Sequence, residues 1–281
     1  MTGTTSGRDA ESAPVFEATV REEVCRLSRP GTRWLSTGYR GGESVADAAY
    51  LLSVPEGWDD VDVADYVRRR RRTVGFDGSG TDRTRLDSES PDAEPALLTG
   101  VSMRHAHRAR LGPVEAVVTA GLSNPAALPM PESTPATPRR DERTADERVD
   151  GVDGVDGRSA EEPPAGTVNV VVGTPRSLAP GALANLVSLA AETKAATLLA
   201  RTGFPGTTSD AVLAGCDPGG ETAEFSGSAT AVGAAARACV RDALLAALDS
   251  RYAEDSPPSS VAAAAYGAVT DERARVERVA E

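Results

Sequence analysis

The chain has 281 residues, which bounds it to one or two domains and permits one large one. It carries 42 acidic against 30 basic residues, a formal net charge of -12, so its surface repels phosphate backbones and anionic membranes. Aromatics at only 4% weaken a stacking-platform reading too, and a nucleic-acid role is disfavoured.

Lys194 is the only lysine in a basic set that is otherwise arginine. An acid surplus with lysine almost absent reads as adaptation to high salt, where repulsion is screened. The cysteines, at 25, 216 and 239, are odd in number and form no CxxC, which argues against a disulfide scaffold and a thiolate zinc site. They are expected to be small buried residues. The N-terminal stretch has no apolar core for a signal peptide, and no long apolar run is free of charge. The expectation is a cytoplasmic protein with no membrane span.

In chain order, residues 1–14 read as a disordered tail. Residues 15–27 suggest a strand followed by a helix, or one short helix. RWLST, 33–37, is a strand candidate running into the glycine-rich loop GYRGG, 38–42. Residues 48–54 read as a strand and 61–72 as a helix, with Asp59 or Asp60 as cap and arginines at its end. Residues 77–95 are polar and acidic, an exposed insertion. ALLTGV, 96–101, is a strand, and SMRHAHRA a helical turn capped by Ser102. EAVVTAGL, 115–122, is a continuous apolar strand of the kind covered on both faces. A second acidic insertion occupies 131–163.

Residues 166–250 carry the clearest pattern. TVNVVVG is a strand. The helix that follows has Pro180 in its first turn and Gly203 as its stop. Leu183, Leu186, Val187, Ala190, Lys194 and Leu198 trace one side of it. A strand at 211–216 and an alanine-rich helix at 228–249 complete the series, with 216–228 able to hide a further short strand. From Ser256 the chain reads as loop and then a weak amphipathic helix. The expected fold is α/β: a single domain, 15–250, with a mainly mixed or parallel sheet flanked by helices, two acidic loop insertions, and a C-terminal extension over 251–281.

Several groups have the chemistry for a site. His105 and His107 are the only histidines, too few for a zinc site, but either can do acid–base work near neutral pH. Arg104 beside them suits an amide oxygen. Asn185, Ser188 and Glu192 form a polar stripe on the long helix, a face expected either to line a wet pocket or to be mixed surface. Glu192 is its general-base candidate. Lys194 offers a flexible point charge. In the loop GFPGTTSD, Thr207, Thr208 and Ser209 are ligand binders, turn formers or nucleophiles, and Asp210 orients a base or caps a turn. AGLSNP and VVGTPRS end two strands alike, making Asn124 and Asn169 candidate amide-recognition groups. No P-loop, dinucleotide fingerprint or GxSxG elbow is present.

The segments TGVSMRHAH, EAVVTAGLSNPA, AGTVNVVV, PGALANLVSLAAETKAATLL and GFPGTTSDAVLAGC, in this order, resemble the adenosylcobinamide amidohydrolase family. The resemblance covers roughly 15–125 and 165–248. It implies an amide hydrolase that removes the aminopropanol arm of adenosylcobinamide, giving adenosylcobyric acid and 1-amino-2-propanol in corrinoid salvage. The corrinoid is then the small-molecule substrate and its cobalt belongs to the substrate, with no cofactor or protein metal called for. A homo-oligomer is permitted.

Within the resembling segments, the catalytic candidates are Glu192, His105, Lys194 and Asp210. The substrate-binding candidates are Arg104, Asn124, Asn169, Asn185, Ser188, Thr208 and Ser209. The helix reads ETK where the family pattern suggests EAK, which leaves substrate preference open. The rival readings are a non-catalytic corrinoid-binding protein and an α/β assembly protein.

Overall fold

The computed structural model describes residues 13–55, 58, 62–76, 94–130, 166–264 and 266–279. Most of the expected tail, the body of both acidic insertions, and the expected caps Asp59 and Asp60 lie outside the described residues.

The first two strands, β1 (Glu17–Arg21) and β2 (Val24–Ser36), form an antiparallel hairpin. Its turn residues, Glu22 and Glu23, have φ of 42° and 67°, the left-handed pair that a tight two-residue hairpin turn requires. This corrects the helical expectation within 15–27. Strand β3 (Gly42–Ser53) returns antiparallel to β2 across a bulge. Helix α1 (Val63–Thr73) is capped by Asp62, whose side chain accepts from Asp65 N at 2.9 Å, and ends on arginines that suit its dipole. Strand β4 (Ala96–Thr99) pairs parallel to β3.

A 3-10 turn, Met103–His105, follows with Ser102 as its cap. Strands β5 (His107–Leu111) and β6 (Val114–Ala120) form a second hairpin, and β7 (Pro125–Ala127) a short spur. Strand β8 (Val168–Thr174) leads through β9 (Ser177–Leu178) into α2 (Pro180–Thr202), stopped by Gly203 in the left-handed conformation. The chain continues through β10 (Gly206–Thr207), β11 (Ala211–Cys216), β12 (Thr222–Ala223) and α3 (Ala231–Arg251) to β13 (Ala268–Val269). The weak helix expected after Ser256 is absent from the described residues. Residues 271–279 form no regular element, and Val276 and Val279 are over 90% exposed, so no neighbour rewards a helical face there.

The fold is α/β, built on a mixed eight-stranded sheet ordered β4-β3-β2-β11-β8-β6-β5, with β1 added on β2. Strands β8 and β11 are adjacent and parallel, joined by α2. Side chains alternate between faces. Val168, Val170, Val172, Val212 and Ala214 pack under α2 and α3. Val171, Leu213, Val117, Trp34 and Phe16 form a second core on the other face. Phe16 stacks on Trp34 at 5.3 Å. A third cluster, including Tyr50, Leu52 and Val67, packs α1 onto β3.

The sheet curls strongly. Leu98, on the edge strand β4, accepts a hydrogen bond of 2.8 Å from Asn169 Nδ2 in β8, although three strands lie between them in the sheet order. That curl brings the start of α1 and β4 over the N-terminal ends of β8 and β11. Among the described residues no helix is long and apolar enough to cross a membrane.

Candidate functional site

The parallel strands β8 and β11 begin at the same edge, with Asn169 opposite Ala211 in register. Helix α2 runs back along them, so Lys194 on its buried side reaches that edge. The loop 203–210 is tied to β7 by a small sheet: Gly206 pairs with Ala126 and Thr207 with Pro125. Two segments far apart in sequence, SNP and GTTSD, are thereby zipped together.

The loop is held by a dense polar network. Asp210 Oδ1 accepts from Val168 N at 2.9 Å and from Thr207 Oγ1 at 2.5 Å. Its Oδ2 accepts from Thr207 N at 3.0 Å and pairs with Lys194 Nζ. Lys194 and Asp210 are about nine-tenths buried. A Cβ at position 206 would lie 2.6 Å from Asp210 Oδ2 and 2.9 Å from Lys194 Nζ, so glycine is what lets the ion pair lie against the loop. Asn124, fully buried, donates from Nδ2 to Thr208 Oγ1 at 2.7 Å and to Ser209 Oγ at 3.3 Å. Thr208 N donates back to Asn124 O at 3.1 Å. Thr167 Oγ1 lies 2.8 Å from Ser209 Oγ.

In front of this network is a cavity of about 350 Å³. Asn169, Ser209, Asp210 and Ala211 supply its sheet edge, Thr37 to Tyr39 and Leu97 to Leu98 its walls, and Trp58 with Val63 its α1 side. Asp210 is the only carboxylate among the described lining residues. Two of the lining residues each carry a buried polar atom without a partner: Asn169 Oδ1 and Trp58 Nε1.

The structure therefore brings together Asn124, Asn169, Lys194, Thr208, Ser209 and Asp210. It places the other candidates elsewhere. Asn185, Ser188 and Glu192 are exposed on the outer face of α2. Glu192 pairs with Arg237 of α3 at 2.5 Å, and Asn185 donates to Ser226 Oγ at 3.0 Å. The stripe lies away from the β8–β11 edge, because the side of α2 that meets the sheet is the one carrying Lys194, and Asn185 instead lines a separate cleft with Ala182, Phe225 and Thr230.

Arg104 and His105 are also outside the cavity, against the end of α3. His105 Nδ1 lies 2.9 Å from Ser250 Oγ, and Arg104 Nε donates to His105 Nε2 at 2.9 Å. Burial and the neighbouring Arg104 charge hold the His105 pKa below its ordinary 6.5. His107 Nδ1 lies 3.1 Å from His105 O. Among the described residues no three His, Cys, Asp or Glu side chains are gathered as a metal site.

Thr37, Trp58 and Thr167 were not singled out from the sequence. Trp58 occurs in a turn-like stretch, PEGWDD, and only the rarity of tryptophan marks it: the chain has two.

Comparison with known proteins matches residues 10–256 to the family described as adenosylcobinamide amidohydrolase. The curated adenosylcobinamide amidohydrolase of Halobacterium salinarum is 49% identical over 264 residues, covering 94% of this chain and the whole of that protein. No solved structure shows significant similarity. With its family match spanning both halves of the sheet, helices α1, α2 and α3 and the 203–210 loop, the chain belongs to the adenosylcobinamide amidohydrolase family.

Proposed function

We propose that this protein hydrolyses the aminopropanol amide of adenosylcobinamide, giving adenosylcobyric acid and 1-amino-2-propanol, as a step of corrinoid salvage for cobalamin synthesis. The observation that carries this reading is the convergence of Asn169, Ser209 and Asp210 on one cavity, with Asp210 its only described carboxylate. A volume of about 350 Å³ is at the small end of ligand pockets. It admits an amide arm, with the macrocycle lying across the mouth and its cobalt entering as part of the substrate.

Hydrolysis needs a base for water, a donor for the developing oxyanion and a proton for the leaving amine. Asp210 is the base in this reading. Of its four donors, two are backbone N–H groups and one is the Lys194 ammonium. The fourth is the neutral Thr207 hydroxyl, and in this reading its turning away opens a lone pair on Oδ1 for a water. The water oxygen bonds to the amide carbon while its proton passes to Asp210. The tetrahedral intermediate then collapses: the C–N bond breaks, its electron pair stays on nitrogen, and the proton held by Asp210 goes to that nitrogen. Lys194 keeps the carboxylate in place, and Ser209, tied to Asn124 and Thr167, lines the path of the arm.

The acidic, lysine-poor composition supports a salt-rich cytoplasm. Incubation of the protein with adenosylcobinamide in concentrated KCl, followed by mass spectrometry, tests the reading. Stoichiometric corrinoid acid and 1-amino-2-propanol are expected. Bound but intact substrate would instead mean a corrinoid-binding protein.

A further inference from the structure

Two residues lining the cavity at the β8–β11 edge each carry a buried, unpartnered polar atom, one an acceptor and one a donor. Asn169 is 1% exposed, and its Nδ2 donates to Leu98 O at 2.8 Å. A carbonyl oxygen only accepts, so this bond fixes the orientation of the side-chain amide and leaves Oδ1 as the free end. Trp58 packs on Tyr66 with ring centroids 5.1 Å apart, and its Nε1–H, which can only donate, is buried without an acceptor. The other indole differs: Trp34 Nε1 donates to Ala46 O at 3.2 Å. Buried polar groups in folded proteins are ordinarily paired, and two unpaired ones lining the same cavity mark what a ligand supplies.

We propose that Trp58 Nε1–H and Asn169 Oδ1 together recognise the scissile amide. Trp58 donates to the carbonyl oxygen and Asn169 accepts from the amide N–H. A secondary amide offers one acceptor and one donor, which matches this pair. An ester offers only the acceptor and leaves Asn169 Oδ1 dry. The pair is thus a filter for amides over esters. Because the carbonyl oxygen gains charge as water adds, the Trp58 bond strengthens on the way to the intermediate. The inference rests on the amide-hydrolase reading of this cavity and names how the bond to be cut is chosen.

Three measurements on the full chain in concentrated KCl test it. Turnover of adenosylcobinamide by Trp58→Phe, which keeps the ring against Tyr66, is expected to fall about tenfold or more in kcat/KM. A value within twofold of the unsubstituted protein would overturn the role of Trp58.

As competitive inhibitors, N-(2-hydroxypropyl)propanamide is expected to bind about tenfold more tightly than its ester counterpart. Equal inhibition would overturn the role of Asn169. Both compounds are tried on the unsubstituted protein, so misfolding of a variant cannot imitate the result.

The third readout needs no turnover. With only two tryptophans in the chain, the indole N–H resonance of Trp58 is expected to move downfield on adding the amide at an inhibitory concentration, while that of Trp34 stays. An unmoved Trp58 signal would overturn the proposal. Should Trp58 respond while adenosylcobinamide stays intact, the amide filter stands and the proposed reaction falls.

Discussion

Lys194, the only lysine of the chain, is paired with Asp210 across the gap between α2 and the start of β11, and both are about nine-tenths buried. A buried pair returns little net stability, because desolvation offsets attraction, but breaking it strands a charge. Lys194→Met is therefore expected to destabilise the fold by about 3–5 kcal/mol, measured by denaturant unfolding. Arginine should not rescue it, since its planar fork does not fit beside Gly206, where the ammonium already lies against the loop. A loss below about 1 kcal/mol would mean the pair is solvated in solution.

The carboxylate at 192 is expected to be dispensable. Its partner is Arg237, and the two side chains are 61% and 43% exposed, the kind of surface pair that contributes little. Glu192→Gln should leave stability within about 0.5 kcal/mol and turnover within about twofold. Asp210→Asn, by contrast, should lower kcat about a hundredfold or more. The opposite order in a kinetic comparison would move the reacting centre to the outer face of α2.

His105 should titrate below 6.5, chiefly because burial disfavours its charged form. A depressed folded-state pKa makes the imidazolium costlier in the fold than in the unfolded chain. The effect on stability is absent well above pH 6.5 and grows as pH falls through that value toward the folded pKa. The bond from Arg104 Nε to Nε2 is lost with protonation, because Nε2 must then donate. A ring titration by NMR with a midpoint above 6.5 would contradict this placement.

All three cysteines are buried and free, and burial pushes the thiols of Cys25 and Cys239 up to about 11. Thiolate is scarce at such values, so a thiol reagent at pH 8 should label neither while the protein is folded. Unfolding should expose three thiols. Rapid labelling of the folded chain would show that the sheet opens.

A net charge of -12 with one lysine predicts marked stabilisation by salt. The melting temperature should climb steeply from dilute buffer to molar KCl, read by circular dichroism. A flat response would leave the acid surplus as ordinary solubility.

The series from β8 through α3 is readable in the sequence because its strands are continuous apolar runs and its long helix has a proline start and a glycine stop. The β1–β2 hairpin is not, since its left-handed turn is Glu22–Glu23, with neither glycine nor asparagine to signal it. Strand β5, His107–Leu111, hides behind charged residues at a sheet edge.

Within the site, GTTSD and SNP announce themselves as turns rich in hydroxyls and amides, and Asp210, Ser209 and Asn124 are legible from that. Helical spacing puts Glu192 on one face with Asn185 and Ser188 but does not show which face meets the sheet. Trp58 is silent for a different reason. It enters the cavity only through the curl that carries Leu98 over Asn169, a tertiary event with no local pattern.

The most direct test of the whole account is turnover of adenosylcobinamide in heavy-oxygen water, with the mass of the corrinoid product measured. Water attack on the aminopropanol amide predicts one heavy oxygen in the new carboxyl group and release of unlabelled 1-amino-2-propanol. Unchanged adenosylcobinamide, or a cleaved corrinoid with no heavy oxygen, would contradict it.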